Sequence, residues 1–243
     1  MTGTSEGAQP KLFIFPHAGG TPQYYVPFAK TFTTDIKRTA VQYPRQGGKQ
    51  DFGSFTSLPA VADEICRMVP PDTGGGAHGA PVFFFGHSMG GLLAFEVARR
   101  FEEAGNPVTA LFVSAVAAPG LVGYDDVPDT DEGLLAAVST ITGADPEFMK
   151  NPEFAAAILP TLRGLKAIAN YSCPPDTRLS SPIHAYYGDD DEIATADKVM
   201  PWAERTTGGF TARDFKGHHF YLNDHLSDVV PDIEEKIWSR LRG

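Results

Sequence analysis

Pro81-Val82-Phe83-Phe84-Phe85-Gly86-His87-Ser88-Met89-Gly90-Gly91-Leu92-Leu93-Ala94-Phe95-Glu96-Val97-Ala98-Arg99-Arg100 changes periodicity in mid-course. Val82 to Phe85 form a continuous apolar run, the pattern of a strand covered on both faces, whereas apolar residues from Met89 onward recur at helical spacing. Glycines two before and two after Ser88 allow a sharp strand-to-helix turn without a Cβ clash. The serine is then left at the tip, strained and exposed. Entry into the helix adds the positive end of its dipole and the Met89 N–H beneath any oxyanion held there. At this composition chance alone gives about 0.1 such Gly-x-Ser-x-Gly runs per chain, before a strand and a helix are required around it. An incidental serine in a glycine-rich turn explains the letters but not their setting.

Outward from this junction the same alternation repeats. Residues 11–15, 38–43, 82–85, 110–114, 183–187 and 210–215 are predicted strands, and 27–33, 58–68, 89–103, 195–205 and 224–240 are predicted helices. Repeated βα units imply an α/β fold with a mostly parallel central sheet and helices on both faces. Residues 121–179 break the pattern with about sixty residues of helical character, far beyond the 2–6 residues usual for such loops. Apolar positions in 131–142 and 152–171 make this an inserted helical cap, within a single domain spanning 1–243. Gly74-Gly75-Gly76 lies in a surface loop lacking the Lys and Ser/Thr of a phosphate-binding loop.

The bulk figures agree. The 243 residues are 42% apolar, enough for a full core, and 25 Gly with 20 Pro suit a fold of many tight turns. Thirty acidic against twenty basic side chains leave a formal charge of −10, which disfavours nucleic acid and acidic membranes as partners. Cys66 and Cys173, the two cysteines, are expected to be reduced. The N-terminus has neither the basic start nor the apolar core of a signal peptide, and no apolar run reaches about 18 residues. A cytoplasmic location is expected. There is no His-Glu-x-x-His or Cys-x-x-Cys, so no metal site is expected.

A serine nucleophile needs a histidine base and a carboxylate to orient it. In this kind of fold the chain order is Ser, then Asp or Glu, then His. Beyond Ser88 lie His184, His218, His219 and His225. His184 falls inside a predicted strand and is expected to pack there; His225 begins the last helix and is expected to be solvated. His218-His219 follow a strand and Gly217, and His219 is the candidate base. For the acid, Asp189-Asp190-Asp191 follow the strand ending near Tyr187, at the sheet edge where active sites of open α/β sheets lie. The three compete, and at least one is expected to be only a solvated turn residue. The loop Phe15-Pro16-His17-Ala18-Gly19-Gly20 suits the second oxyanion donor, with the Ala18 N–H as candidate beside that of Met89. His17 is expected to brace the loop.

With these motifs in hand, the chain resembles the type II thioesterases, discrete α/β-hydrolases that accompany polyketide and non-ribosomal peptide synthases. The likeness covers nearly the whole chain. Phe15-Pro16-His17-Ala18-Gly19-Gly20, Gly86-His87-Ser88-Met89-Gly90, Gly188-Asp189-Asp190-Asp191 and Gly217-His218-His219-Phe220 match the family's first loop, elbow, acid loop and histidine loop in order. Val41-Gln42-Tyr43-Pro44, Tyr171-Ser172-Cys173-Pro174-Pro175 and His219-Phe220-Tyr221-Leu222-Asn223-Asp224 are similar to the mycobacterial members tied to surface-lipid synthesis. Tyr43-Pro44-Arg45-Gln46-Gly47 departs from the expected Tyr-Pro-Gly-Arg or Tyr-Pro-Gly-Gln, so no role carries over to Arg45. The resemblance implies Ser88 as nucleophile, His219 as base, Asp191 as its partner, and the Ala18 and Met89 amides as oxyanion hole. It further implies a substrate, an acyl thioester on the phosphopantetheine arm of an acyl- or peptidyl-carrier protein domain, with no cofactor of the enzyme's own. The insert becomes the family's lid. A monomer is expected, and a basic docking patch for an acidic carrier is expected among Lys30, Lys37, Arg38, Arg163 and Lys166. Two rival expectations remain on the same scaffold: a carboxylesterase or lipase, and a catalytically silent binding protein.

Overall fold

The computed structural model of the chain describes residues 9–43, 45–46, 49–50, 57–69, 79–121, 130–142, 145–156, 158–159, 162 and 171–242. The apolar runs pair as β1 (Lys11–Phe15), β5 (Val82–His87), β6 (Ala110–Ser114) and β7 (Ile183–Gly188), flanked by β2 (Lys37–Ala40) and β8 (Phe210–Phe215). Their order is β2-β1-β5-β6-β7-β8, and every pairing is parallel. A separate two-residue hairpin joins β3 (Arg45–Gln46) to β4 (Lys49–Gln50).

Alternation along the strands feeds two cores. Phe13, Phe15 and Phe84 face a layer containing α2 (Leu58–Met68) and α3 (Met89–Glu103), while Leu12, Ile14, Phe83 and Phe85 face α1 (Val26–Thr31) and the C-terminal helix Leu226–Arg242. Phe83, Phe84 and Phe85 are all fully buried, each stabilising the fold by roughly 1.5–3 kcal/mol. Helices thus cover both faces, as the unbroken apolar runs require. The Ser57 side chain caps α2 by accepting from Ala60 N–H.

Several boundaries differ from expectation, among them those of β2, of the helix predicted at 195–205 and of the last helix. β2 begins at Lys37 and stops at Ala40; Val41 and Tyr43, apolar enough to extend the prediction, are buried beyond the strand instead, with Tyr43 Oη donating to the Pro16 carbonyl (2.6 Å). The predicted helix 195–205 is one α-turn, Ala196–Val199, followed by a tighter 3₁₀ segment, Met200–Arg205, whose second residue, Pro201, has no N–H to donate. The last helix starts at Leu226 and runs to Arg242.

In the expected lid, α4 (Asp131–Thr142) stands where predicted, followed by the short α5 (Pro146–Met149) and helical residues 152–156, 158–159 and 162. Tyr171, the expected end of that helix, is not helical. It accepts from Gly120 N–H (3.0 Å) through its carbonyl, so the two flanks of the insert meet. Residues 122–129, 143–144 and 163–170, and the Gly74-Gly75-Gly76 loop, lie outside the described residues. No helix among the described residues is long and apolar enough to cross a membrane.

Candidate active site

Ser88 sits between the last residue of β5 and the first of α3 with φ 55° and ψ −130°, a backbone conformation that costs a non-glycine residue of order 1–3 kcal/mol. The flanking glycines are needed for close approach. A Cβ on Gly86 would lie 2.2 Å from the Gly90 carbonyl oxygen, and one on Gly90 would lie 2.1 Å from the Phe15 carbonyl oxygen. The second contact also shows that the first loop presses directly on the first turn of α3. Ser88 N–H is held by the Ser114 carbonyl at the end of β6 (2.7 Å).

His219 joins the two other predicted residues. Its Nε2 is 2.9 Å from Ser88 Oγ and its Nδ1 is 2.8 Å from Asp191 Oδ2. His219 and Asp191 are each 4% exposed, so little water competes for these bonds. The other Asp191 oxygen accepts from the Ile193 and Ala194 amides (2.9 and 3.1 Å). Burial alone would raise the Asp191 carboxyl; the hydrogen bond and charge of His219, with those two amides, outweigh it and hold the group below its ordinary value. An ionised acceptor fixes the His219 proton on Nδ1, leaving Nε2 to receive one from Ser88.

The competing aspartates separate by geometry. Asp189 is ion-paired with Lys216 and accepts from Gly217 N–H (3.0 Å), pinning the histidine loop to the acid loop. Asp190 is exposed; its carbonyl accepts from His218 Nδ1 (3.0 Å), and His218 itself is exposed and away from Ser88. His184 packs as expected, stacked on Phe112 (5.1 Å) with Nδ1 2.8 Å from Thr211 Oγ1. His225 is not simply solvated: it is half-buried, and its Nε2 donates to the Lys216 carbonyl (2.8 Å).

Met89 opens α3, so its N–H has no helical acceptor. Among the described residues neither it nor the Ala18 N–H has a hydrogen-bond acceptor, and both belong to the two segments that Gly90 brings together. His17 braces the first loop: Tyr25 Oη accepts from His17 N–H (3.1 Å) and donates to His17 Nδ1 (2.8 Å). Burial, with the nearby His219, lowers His17 to about 4 and keeps it neutral. Its ring meets Tyr24 and Phe220 edge-on, so Phe220 screens the site while also packing.

Three of the five residues expected to form a basic patch lie away from this edge of the sheet. Lys37 and Arg38 begin β2 and Lys30 lies in the last turn of α1, all toward the N-terminal edge of the sheet, whereas Ser88, Asp191 and His219 follow strand C-termini. Arg163 and Lys166 lie outside the described residues. Sequence reasoning also missed buried Glu96, which binds Arg99 (2.8 Å), Arg100 (2.6 Å) and Tyr171 Oη (2.5 Å), and the hydroxyls of Ser114 and Tyr221 beside the site. A lone serine ending the apolar run Ala110–Ser114 was the available signal for one of these.

A family model described as a thioesterase domain matches residues 10–237. The thioesterase TesA of Mycobacterium leprae (strain TN) is 52% identical over 228 residues, 93% of this chain and 86% of that protein. The phenyloxazoline synthase MbtB of Mycobacterium tuberculosis (strain ATCC 25618 / H37Rv) is 36% identical over 233 residues, 95% of this chain but 16% of that much longer one. Among solved structures, the type II thioesterase BorB from the borrelidin biosynthetic cluster superposes with a TM-score of 0.79 at 36% identity, covering 94% of this chain and 92% of its own.

Proposed function

The chain belongs to the thioesterase family, a family of thioester hydrolases, and from that premise we propose that it releases acyl groups from the phosphopantetheine arm of carrier proteins serving a polyketide or non-ribosomal peptide synthase. Ser88, His219 and Asp191 are its catalytic residues in this reading. The observation that carries it is the single, buried imidazole lying within hydrogen-bond distance of both Ser88 Oγ and Asp191 Oδ2.

Ser88 Oγ attacks the thioester carbonyl carbon as His219 Nε2 takes its proton. The oxyanion is stabilised by the Ala18 and Met89 amides, each such donor being worth about 3–4 kcal/mol in comparable sites. The C–S bond breaks, and the proton on His219 goes to the departing pantetheine sulfur. Water then gives a proton to His219 and attacks the Ser88 ester; as the C–O bond breaks, His219 returns that proton to Ser88 Oγ and the acid is released. Asp191 stabilises the imidazolium in both halves without itself taking the proton. Water is the only co-reactant, and phosphopantetheine belongs to the substrate.

Similarity to a type II thioesterase of a biosynthetic cluster and to a segment of a synthase supports the carrier-bound substrate. The purified chain should be offered one acyl group in three forms: on a carrier protein, on free pantetheine and as a p-nitrophenyl ester. Hydrolysis of both thioesters, with the higher kcat/KM on the carrier, is expected. Preference for the ester would assign a carboxylesterase instead.

A further inference from the structure

A buried polar chain beside the triad is not used by the mechanism above. Tyr221 Oη lies 2.7 Å from Ser114 Oγ, which lies 2.9 Å from His87 Nδ1. All three residues are at most 1% exposed, in a setting where an apolar side chain would avoid the cost of burying polar groups. Each is tied to the reacting groups. His87 precedes the nucleophile, Tyr221 is two residues beyond the base, and Ser114 holds the nucleophile's own N–H through its carbonyl.

The geometry points to Tyr221 and Ser114 as positioning residues that tie the nucleophile elbow to the histidine loop and so set the Ser88–His219 distance; this rests on the triad reading above. Tyr221 is itself a rigid anchor, stacked on Phe215 at the end of β8 with rings 9° apart, and its N–H donates to the His218 carbonyl (3.0 Å). Ser88 and Ala115 are the non-glycine residues with positive φ among those described, and they flank Ser114 from two sides: one bonded to its carbonyl, the other next in the chain. Strain retained at both places requires surroundings that hold them.

Proton bookkeeping gives the chain a direction. If Tyr221 donates to Ser114 and Ser114 donates to His87 Nδ1, one group is left over, His87 Nε2–H, which has no hydrogen-bond partner of ordinary geometry among the described residues. The reverse direction leaves both the Tyr221 proton and the His87 Nε2 lone pair unsatisfied. The first arrangement is therefore favoured. It keeps His87 neutral next to His219, whose ring centre is 5.6 Å away, consistent with burial and the adjacent His219 lowering the His87 pKa well below the usual value.

The test compares wild type with Tyr221→Phe, Ser114→Ala and the double variant, measuring kcat and KM on an acyl-pantetheine thioester together with urea midpoints. Tyr221→Phe keeps the ring stack and removes only the hydroxyl. It is expected to lower kcat about tenfold with KM unchanged, because a small misplacement of reacting groups is costly. The double variant should be no slower than the worse single, since either change breaks the same chain. Unchanged kcat in Tyr221→Phe, or multiplicative losses in the double variant, would overturn the inference. Should Ser114→Ala fail to fold, the kcat and KM of Tyr221→Phe decide alone. Wild-type turnover is the control that separates this from the triad reading: if wild type is itself inactive on thioesters, the premise fails rather than the positioning role.

Discussion

Asp191 acts through one imidazole, and its replacement can be made nearly isosteric. Asp191→Asn is expected to keep the fold, because Oδ1 still accepts the Ile193 and Ala194 amides, but to favour the wrong His219 tautomer. A kcat loss of about 10⁴-fold follows from the comparable change in a serine protease triad, measured by thiol release under saturating substrate. A second residue-scale expectation concerns acid stability. Burial, aided by Lys236 and Arg240 and opposed by Asp232, lowers His184 from 6.5 to about 4. The unfolded chain protonates this residue first, so its contribution is complete above pH 6.5 and is lost as pH falls from 6.5 toward 4. Urea midpoints across that window should fall less steeply in His184→Gln than in wild type, with His17 supplying part of the remaining slope. Ser88, Asp191 and His219 were legible because each lies in the turn just beyond the C-terminus of a strand, β5, β7 and β8 respectively. The hydroxyls of Ser114 and Tyr221 were not, since a hydroxyl's partner is decided by which strands the fold sets side by side.

At the scale of elements, the junction of β5 and α3 is the least tolerant part of the molecule. Gly90→Ala would drive a Cβ into the Phe15 main chain, and neither backbone can yield without moving β1 or α3. A cost of about 1–3 kcal/mol is expected from the urea midpoint, as for other overpacked sites, with a larger loss of turnover. The lid flank is tied to the same helix. Tyr171→Phe removes one of the donors to buried Glu96, leaving Arg99 and Arg100, and should destabilise by about 1–3 kcal/mol in the same assay. The strands β1, β6 and β8 and the helices α2, α3 and α4 were readable to the residue, since apolar period and turn residues agree there. β2 was not. Its side chains face solvent at the sheet edge, while the apolar Val41 and Tyr43 that drew the prediction forward are buried by the loop they anchor.

For the whole molecule, the parallel sheet separates two functions of its edges. Every strand C-terminus that carries a candidate group opens on one side, and Lys30, Lys37 and Arg38, three of the residues expected to meet a carrier, lie toward the other. Charge could be counted in the sequence, but its position depends on strand direction and on the antiparallel return of α1. Reversing Lys37 and Arg38 to Glu is accordingly expected to leave KM for an acyl-carrier substrate unchanged, measured by steady-state hydrolysis. An acyl-enzyme at Ser88 is expected, and intact-protein mass after rapid quenching of the chain with an acyl-pantetheine thioester detects it directly. Wild type should carry one acyl group, mapped to Ser88, with matching release of thiol, while Ser88→Ala carries none and releases thiol at the background rate; equal thiol release by Ser88→Ala would exclude Ser88 as the nucleophile.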